Sequence, residues 1–168
     1  TVLDLFPVPR LMDSRLNGRY PRSAYANVTP FTVDFPLGAC MLVRTGAMTQ
    51  VGLLDDGYFL YCEEVDWCRR LRGAGYHALC VPAATVVHHA GGSTRRAPGR
   101  MFGVLWRSRL RYFARYEPAW RRELLRLVVR LGLAARTAAD DRAVRRGRLT
   151  EGERASRAAA YRAVFAEE

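Results

Sequence analysis

The sequence predicts an α/β fold for residues 1–94 and a basic, amphipathic helical extension for residues 95–168. In the first part, short apolar and β-prone runs alternate with a helical pattern that begins with acids and ends with arginines. In the second part, apolar residues recur at helical spacing. The chain has 168 residues, of which 49% are hydrophobic, so it is large enough to bury a core, and wholesale disorder is excluded.

Charge separates the same two parts. Residues 1–94 hold 8 Arg and 8 acids, whereas residues 95–168 hold 19 Arg and 8 acids, which gives the chain its net charge of +11. A basic half of this kind can meet phosphate groups or an anionic membrane. The absence of lysine is explained equally well by the arginine bias of GC-rich coding sequences, and by itself it favours no function.

The first 32 residues are irregular, with short helical pieces, and a clear pattern starts after them. Ala39–Val43 predicts a buried strand, and Thr45 predicts the N-cap of a short helix. Residues 52–57, which contain two glycines and two aspartates, predict a turn.

The strongest helical pattern lies between Tyr58 and Gly75. Carboxylates stand at its start, where unpaired N–H groups and the helix dipole favour negative charge, and arginines stand in its last turn. Gly73 or Gly75 is free to adopt the left-handed cap. The acids are Glu63, Glu64 and Asp66, and the helix continues through Trp67, Cys68 and Leu71.

A second strand is predicted at Tyr76–Val81, is interrupted by Pro82 and resumes at Thr85–Val87. His88 and His89 follow directly. Neighbouring side chains of a strand point in opposite directions, so only one of these two imidazoles can face a site.

Two amphipathic helices are predicted at Arg100–Tyr116 and Glu117–Arg136, each with arginines at every fourth position beside an apolar face. The arginine stripes are Arg107, Arg111 and Arg115 in the first helix and Arg122, Arg126 and Arg130 in the second. Beyond Thr137 the chain is rich in Ala and Arg, and we expect it to be helical and either peripheral or partly disordered. No run of 18 uninterrupted apolar residues is present to cross a bilayer.

The four cysteines form no C-x-x-C pair and have no secretory context, which predicts buried free thiols rather than a disulfide framework. They are Cys40, Cys62, Cys68 and Cys80. A zinc site is the weaker alternative, because structural zinc usually has closely spaced ligand pairs. Its ligands would be Cys62, Cys68, His77 and His88.

Several of these motifs resemble those of one enzyme family. The run EEVDWCRRLRGAGY, followed by VP and then VVHHAGGST, resembles the acceptor-side half of family 2 glycosyltransferases of the GT-A fold, especially the rhamnosyltransferase-like branch. The usual wording there is close to FLY-x-EDVDLCLRLRKAGY followed by VHH-x-GGS. Residues 33–61 also resemble that family's GA-x-MLVRR and FDE-x-FF blocks, and the motifs occur in the family's order.

The resemblance implies the acceptor-side portion of a GT-A fold followed by the helical extension. It implies an inverting transfer of a sugar, with rhamnose as the candidate, from a nucleotide-diphosphate donor to a lipid-linked or polysaccharide acceptor of the cell envelope. A divalent cation, Mg²⁺ or Mn²⁺, is expected with the donor. The family's nucleotide-binding half is expected to precede residue 1, and so these residues alone are expected to be an inactive fragment.

The resemblance also implies roles for individual residues. The catalytic base corresponds to Glu64, where the family more often has Asp, and Glu63 and Asp66 then orient acceptor hydroxyls or stabilise the helix start. His88 is expected to approach the donor diphosphate or its metal ion. Substrate-binding candidates are Gly38, Ala39, Trp67 and Arg95. The alternatives are that the acids are ordinary residues of a helix start and that Gly38 is a turn residue.

A lipid-linked acceptor would bring an anionic diphosphate and a bilayer close to the basic helices. This predicts a protein that is peripheral to the inner face of the plasma membrane, on the cytoplasmic side. A noncatalytic sugar- or lipid-binding remnant is the alternative, and apolar faces that pack on the α/β part or form a dimer are the alternative to membrane contact. A nucleic-acid-binding protein is disfavoured, because the positive charge lies on helices with large apolar faces and accompanies no nucleic-acid motif.

Overall fold

The computed structural model describes residues 5, 6, 14, 20–89 and 98–166. They fall into two compact units. The α/β unit consists of residues 20–89, and the helical unit consists of residues 98–166 together with Leu5. No helix in the described ranges combines the length and the apolarity that crossing a bilayer requires.

Three helices and two short strands form the α/β unit. The helices are α1 (Arg22–Ala26), α2 (Thr45–Val51) and α3 (Glu63–Gly73), and the strands are β1 (Phe31–Val33) and β2 (Ala78–Cys80). The strands pair antiparallel, with Phe31 opposite Cys80 and Val33 opposite Ala78. Val33 is buried, and the rings of Tyr20 and Tyr25 pack against Phe31.

Two of the predicted strand segments are wrong. Ala39–Val43 is a turn followed by irregular chain, with Leu42 fully exposed, and Thr85–Val87 is unpaired, with Val87 80% exposed. A strand requires hydrogen bonds to a neighbour, and within residues 20–89 only β1 and β2 pair with each other. Cys40 lies in the unpaired Ala39–Val43 segment and is exposed, so the prediction of a buried thiol is wrong at this position.

The predicted helices of this unit are present. Arg44, rather than Thr45, occupies the N-cap of α2, and it makes no side-chain capping bond. Thr45 instead lies inside the first turn, where its carbonyl accepts a hydrogen bond from the hydroxyl of Thr49. At the end of α3, Gly75 has a φ of +86°, which confirms the predicted left-handed glycine.

The helical unit contains α4 (Pro98–Tyr116), α5 (Ala119–Arg145) and α6 (Glu151–Arg162), followed by a 3₁₀ turn at Ala163–Phe165. All three helices contact one another. Their shared core consists of Trp106, Leu110, Leu125, Val129, Leu133 and Val164, together with Leu5.

The C-terminal segment packs in this core, and the expectation that it is peripheral or partly disordered is wrong. Helix α6 starts with a complete capping box between Thr150 and Glu153. Gly103 allows the 3₁₀ turn after α6 to approach α4 closely, since a Cβ at Gly103 would lie 3.4 Å from the Cβ of Ala163. The guanidinium of Arg107 donates a 2.9 Å hydrogen bond to the carbonyl of Ala163. Arg107, the first arginine of the predicted stripe, therefore holds the 3₁₀ turn against α4.

Leu5 fills a site against α5 that only glycine leaves open. A Cβ at Gly132 would lie 2.8 Å from the Cβ of Leu5, closer than real Cβ contacts occur. We predict that Gly132→Ala lowers the free energy of unfolding by about 1 to 3 kcal/mol, because overpacking outweighs the better helix propensity of alanine. Urea denaturation measures the change.

Gly152→Ala in α6 is the matched control, because a Cβ at Gly152 meets no atom within 4 Å. This variant should be at least as stable as the parent, since alanine favours the helix. Equal stability of the Gly132→Ala variant and the parent would contradict the close packing of Leu5.

Candidate active site

The N-terminus of α3 follows two residues in an unusual backbone conformation. Tyr61 and Cys62 have φ angles of 68° and 67°, and neither is a glycine. Each such residue costs on the order of 1 to 3 kcal/mol and persists only where the surrounding structure imposes it. The two residues turn the chain directly into Glu63 and Glu64, so the acids occupy the first turn of the helix. No glycine, Asn or Asp marked this conformation in the sequence.

Glu64 is largely removed from water. Burial raises the pKa of its carboxyl group, the negative charge of Glu63 raises it further, and the backbone N–H groups at the helix start act in the opposite direction. A Cβ at Gly38 would lie 3.8 Å from the Cβ of Glu64, so these two residues are neighbours. The structure thus brings together two of the residues predicted for the site.

Two carboxylate oxygens at this helix start have no protein partner. Oε2 of Glu63 and Oε2 of Glu64 are both buried and accept no hydrogen bond from any described residue. Buried polar atoms normally have a partner, and exceptions require an explanation such as a ligand. The nearby phenol of Tyr61 has a raised pKa, because of its burial and the charge of Glu63, and it therefore remains a proton donor.

Asp66 has the contacts of a structural residue. It is fully buried and forms a 2.8 Å ion pair with Nε of Arg70. The other nitrogens of that guanidinium donate to the carbonyls of Val51 and Leu53, at 2.9 and 2.7 Å. Of its two predicted roles, the described contacts favour stabilisation of the helix start.

Trp67 is buried as well, and its indole N–H donates a 2.8 Å hydrogen bond to the carbonyl of Gly52. Its contacts hold α3 against the end of α2. Ala39 is exposed in the turn after Gly38. The structure therefore places Gly38 and Ala39 on the accessible side of the unit and Trp67 in its interior.

The remaining predicted residues are less defined by the structure. His88 and His89 are both exposed and belong to no strand, so the alternation that was expected to select one of them is absent. Arg95 lies outside the described residues. Among the described ranges, no three His, Cys, Asp or Glu side chains are grouped to hold a metal ion. These residues do not form a cation site by themselves, nor do they form the alternative zinc site.

Parts of the chain are similar to curated enzymes. N-acetylglucosaminyl-diphospho-decaprenol L-rhamnosyltransferase of Mycobacterium tuberculosis is 40% identical over 100 residues, which cover 60% of this chain and 33% of that protein. Rhamnosyltransferase WbbL of Escherichia coli is 40% identical over 83 residues, covering 49% and 31%. Low-salt glycan biosynthesis hexosyltransferase Agl10 of Haloferax volcanii is 38% identical over 40 residues, covering 24% and 13%.

These similarities confirm the resemblance to rhamnosyltransferases and indicate a glycosyltransferase family. The matched stretch spans about a third of the length of the first two relatives. No protein-family model matches the chain, and no solved structure matches it significantly.

The raised pKa of Glu64 predicts a pH-dependent stability. Because the folded state disfavours the charged carboxylate, stability falls as pH rises from the ordinary value of 4.5 through the raised pKa. Glu64→Gln removes this charge. We therefore expect the variant to have a higher melting temperature than the parent at pH 7, and the difference to shrink toward pH 4. Thermal unfolding of the 168-residue chain across this range measures it.

Asp66→Asn is the control, because we expect it to lower the stability that Glu64→Gln should raise. It leaves the guanidinium of Arg70 without its charged partner, and we expect a loss of about 2 to 4 kcal/mol at pH 7. A Glu64→Gln variant that is less stable than the parent at pH 7 would contradict the desolvation of Glu64.

Proposed function

We propose that this chain is the acceptor-side part of an inverting, GT-A-type glycosyltransferase in which Glu64 is the general base. The observation that carries the proposal is the buried, partner-free carboxylate oxygen of Glu64 at the start of α3, with its raised pKa. A general base works best when its pKa lies near the operating pH, and burial beside a second acid moves a glutamate in that direction.

The donor is proposed to be a nucleotide-diphosphate sugar, with rhamnose as the candidate sugar because two relatives are named rhamnosyltransferases. The acceptor is proposed to be a lipid-linked or polysaccharide glycan of the cell envelope. The name of the mycobacterial relative, with its diphospho-decaprenol, supports the lipid-linked choice.

In the proposed reaction, the oxygen of an acceptor hydroxyl forms a bond to the anomeric carbon of the donor sugar. The bond from that carbon to the diphosphate oxygen breaks on the opposite face, which inverts the configuration. The hydroxyl proton passes to the carboxylate of Glu64. Burial, together with the negative charge of Glu63, raises the pKa of Glu64 and makes it more basic for this step, and the phenol of Tyr61 is available as a hydrogen-bond donor.

A glutamate in place of the family's usual aspartate adds one methylene to the base. An error of about 1 Å in the placement of a reacting group can lower a rate by a factor of about 100, so the extra length requires accommodation. Glu64 lies beside Gly38, at a distance where even a Cβ would make only ordinary van der Waals contact with its aliphatic part. We propose that this neighbour allows the longer carboxylate to be seated.

Further parts of the proposed enzyme concern the donor. From the family resemblance, we propose a nucleotide-binding half and a Mg²⁺ or Mn²⁺ ion that hold the donor. On the same basis, His88 and Arg95 are proposed to contact the donor phosphates. We also propose that the protein works on the cytoplasmic side, peripheral to the inner face of the plasma membrane. The net charge of the described helical unit supports this location, since residues 98–166 hold 17 Arg and 6 acids, giving 17 − 6 = +11.

In the full-length protein, we predict that Glu64→Gln lowers kcat by about 100-fold or more and leaves donor affinity nearly unchanged, because the amide has a similar shape but cannot accept the proton. Initial rates with a nucleotide-sugar donor and donor titration calorimetry measure the two effects.

Glu63→Gln is the matched control and should cost much less activity. Turnover of the Glu64→Gln enzyme within about threefold of the parent would remove Glu64 from the role of base and favour the noncatalytic alternative.

If His88 approaches the donor diphosphate or its cation, His88→Ala should weaken donor binding and raise the metal concentration needed for half-maximal activity by about tenfold or more, the loss typical of a metal-site contact. His89→Ala, at the adjacent exposed position, is the control and should titrate like the parent. Identical Mn²⁺ titrations for all three proteins would leave His88 without this role.

A further inference from the structure

One face of α5 exposes a continuous apolar stripe. Trp120, Leu124, Leu127 and Leu131 follow one another at intervals of four, three and four residues, which places them on one side of the helix. Their exposed fractions are 63%, 52%, 53% and 58%. A helix on the surface of a soluble protein normally carries polar residues on its outward side. This outer face of α5 is therefore unexplained by the packing of the helical unit.

The opposite side of the same helix provides the core contacts. Leu125, Val129 and Leu133 are buried there against α4 and Leu5. The outer face is thus a second apolar surface on a helix whose packing is already satisfied. Its substitution should not disturb the core, which makes it suitable for mutational tests.

Arginines flank the outer face on both sides. The first 13 residues of α5, residues 119–131, contain four Arg and a single acid, Glu123, which is paired with Arg126. Arg121 is exposed, and its guanidinium lies 5.1 Å from the centre of the Trp120 ring. The exposed Arg130 lies on the other flank. This charge, within a unit of net charge +11, opposes the pairing of two copies and favours an anionic partner.

A small cavity lies between α4 and α5, on the core side of α5. Its volume is about 170 Å³. Its apolar lining comes from Leu110, Phe113, Ala114 and Leu125, and its polar lining comes from Arg122, Glu123 and Arg126. The Nε atom of Arg122 is buried and donates to no described residue. The cavity therefore belongs to the packed side of α5 and is not part of the outer face.

We infer that α5 lies parallel to an anionic bilayer surface, with the outer face inserted at the level of the headgroups and with lipid phosphates against Arg121 and Arg130. Tryptophan and leucine on one face with arginines along its margins are the pattern of an interfacial helix. The inference rests on the membrane location proposed above and is independent of glycosyl transfer. It narrows the sequence prediction, which placed the contact on both basic helices, to the outer face of α5.

Tryptophan fluorescence provides a direct test on the 168-residue chain. Trp67 and Trp106 are 6% and 1% exposed, so a change in emission on membrane contact reports on Trp120. Vesicles of phosphatidylcholine with phosphatidylglycerol should shift the emission to shorter wavelength, and pure phosphatidylcholine should not. High salt should reverse the shift, because the attraction of exposed charges is screened. The Trp120→Phe variant should show no shift.

Vesicle co-sedimentation then tests the stripe itself. Leu124→Gln combined with Leu127→Gln should lower the partition coefficient on anionic vesicles by about tenfold or more, because two apolar anchors are lost. Leu42→Gln, which changes a fully exposed leucine in the α/β unit, is the matched control and should bind like the parent. Circular dichroism and the melting temperature should be unchanged in both variants, since none of these leucines is buried.

Three results would overturn the inference. Equal recovery of the parent in the supernatant with neutral and anionic vesicles at low salt would exclude both the face and the membrane location. Undiminished binding of the Leu124→Gln, Leu127→Gln variant would preserve the membrane location and exclude the face. Concentration-dependent self-association without vesicles, abolished by the same variant, would assign the face to a second copy of the chain. None of these results bears on the role of Glu64, which is tested by turnover.

Discussion

The α/β unit depends on one buried ion pair. Asp66 is fully buried and Arg70 largely so, which is costly in itself, and such a pair is tolerated only where the remaining hydrogen-bonding groups are also satisfied. Arg70 meets this condition, because its guanidinium serves the carboxylate and the carbonyls of Val51 and Leu53 at the same time. A single side chain thereby fixes the rotation of α3 relative to the end of α2. Since Glu64 lies on the same first turn, the position of the proposed base is set by this pair.

The contacts of Asp66 and Arg70 explain how unfavourable features persist at the neighbouring positions. Tyr61 and Cys62 hold strained backbone angles, and Glu64 and Glu63 keep buried oxygens without protein partners. Each of these lowers stability on its own. The indole bond from Trp67 to Gly52 adds a second attachment of α3 to the same loop. Asp66 and Trp67, which hold the helix, thus follow within one turn of the two acids with partner-free oxygens, and the sequence motif contains all four.

Structural elements that depend on residues close together in the sequence were predicted correctly. The bounds of α3 followed from its acids, its arginines and Gly75, and the structure places Glu64 beside Gly38, two residues that the family resemblance had assigned to one site. The strand at Ala39–Val43 was mispredicted because apolar composition does not supply a hydrogen-bonding neighbour. The docking of α6 was missed because it depends on small residues at Gly103 and Ala163, which give no hydrophobic periodicity. The exposure of the outer face of α5 was not predicted, because core and surface stripes have the same spacing in the sequence.

The contact between Leu5 and Gly132 gives the chain an unusual order of assembly. These residues are 132 − 5 = 127 positions apart, and the whole α/β unit is inserted between them. During synthesis the α/β unit is complete long before α5 leaves the ribosome, so it can fold first. Leu5 can reach its site against Gly132 only after α5 has emerged, and closing so long a loop is entropically slow. The core of the helical unit is therefore completed by the part of these residues that is made last.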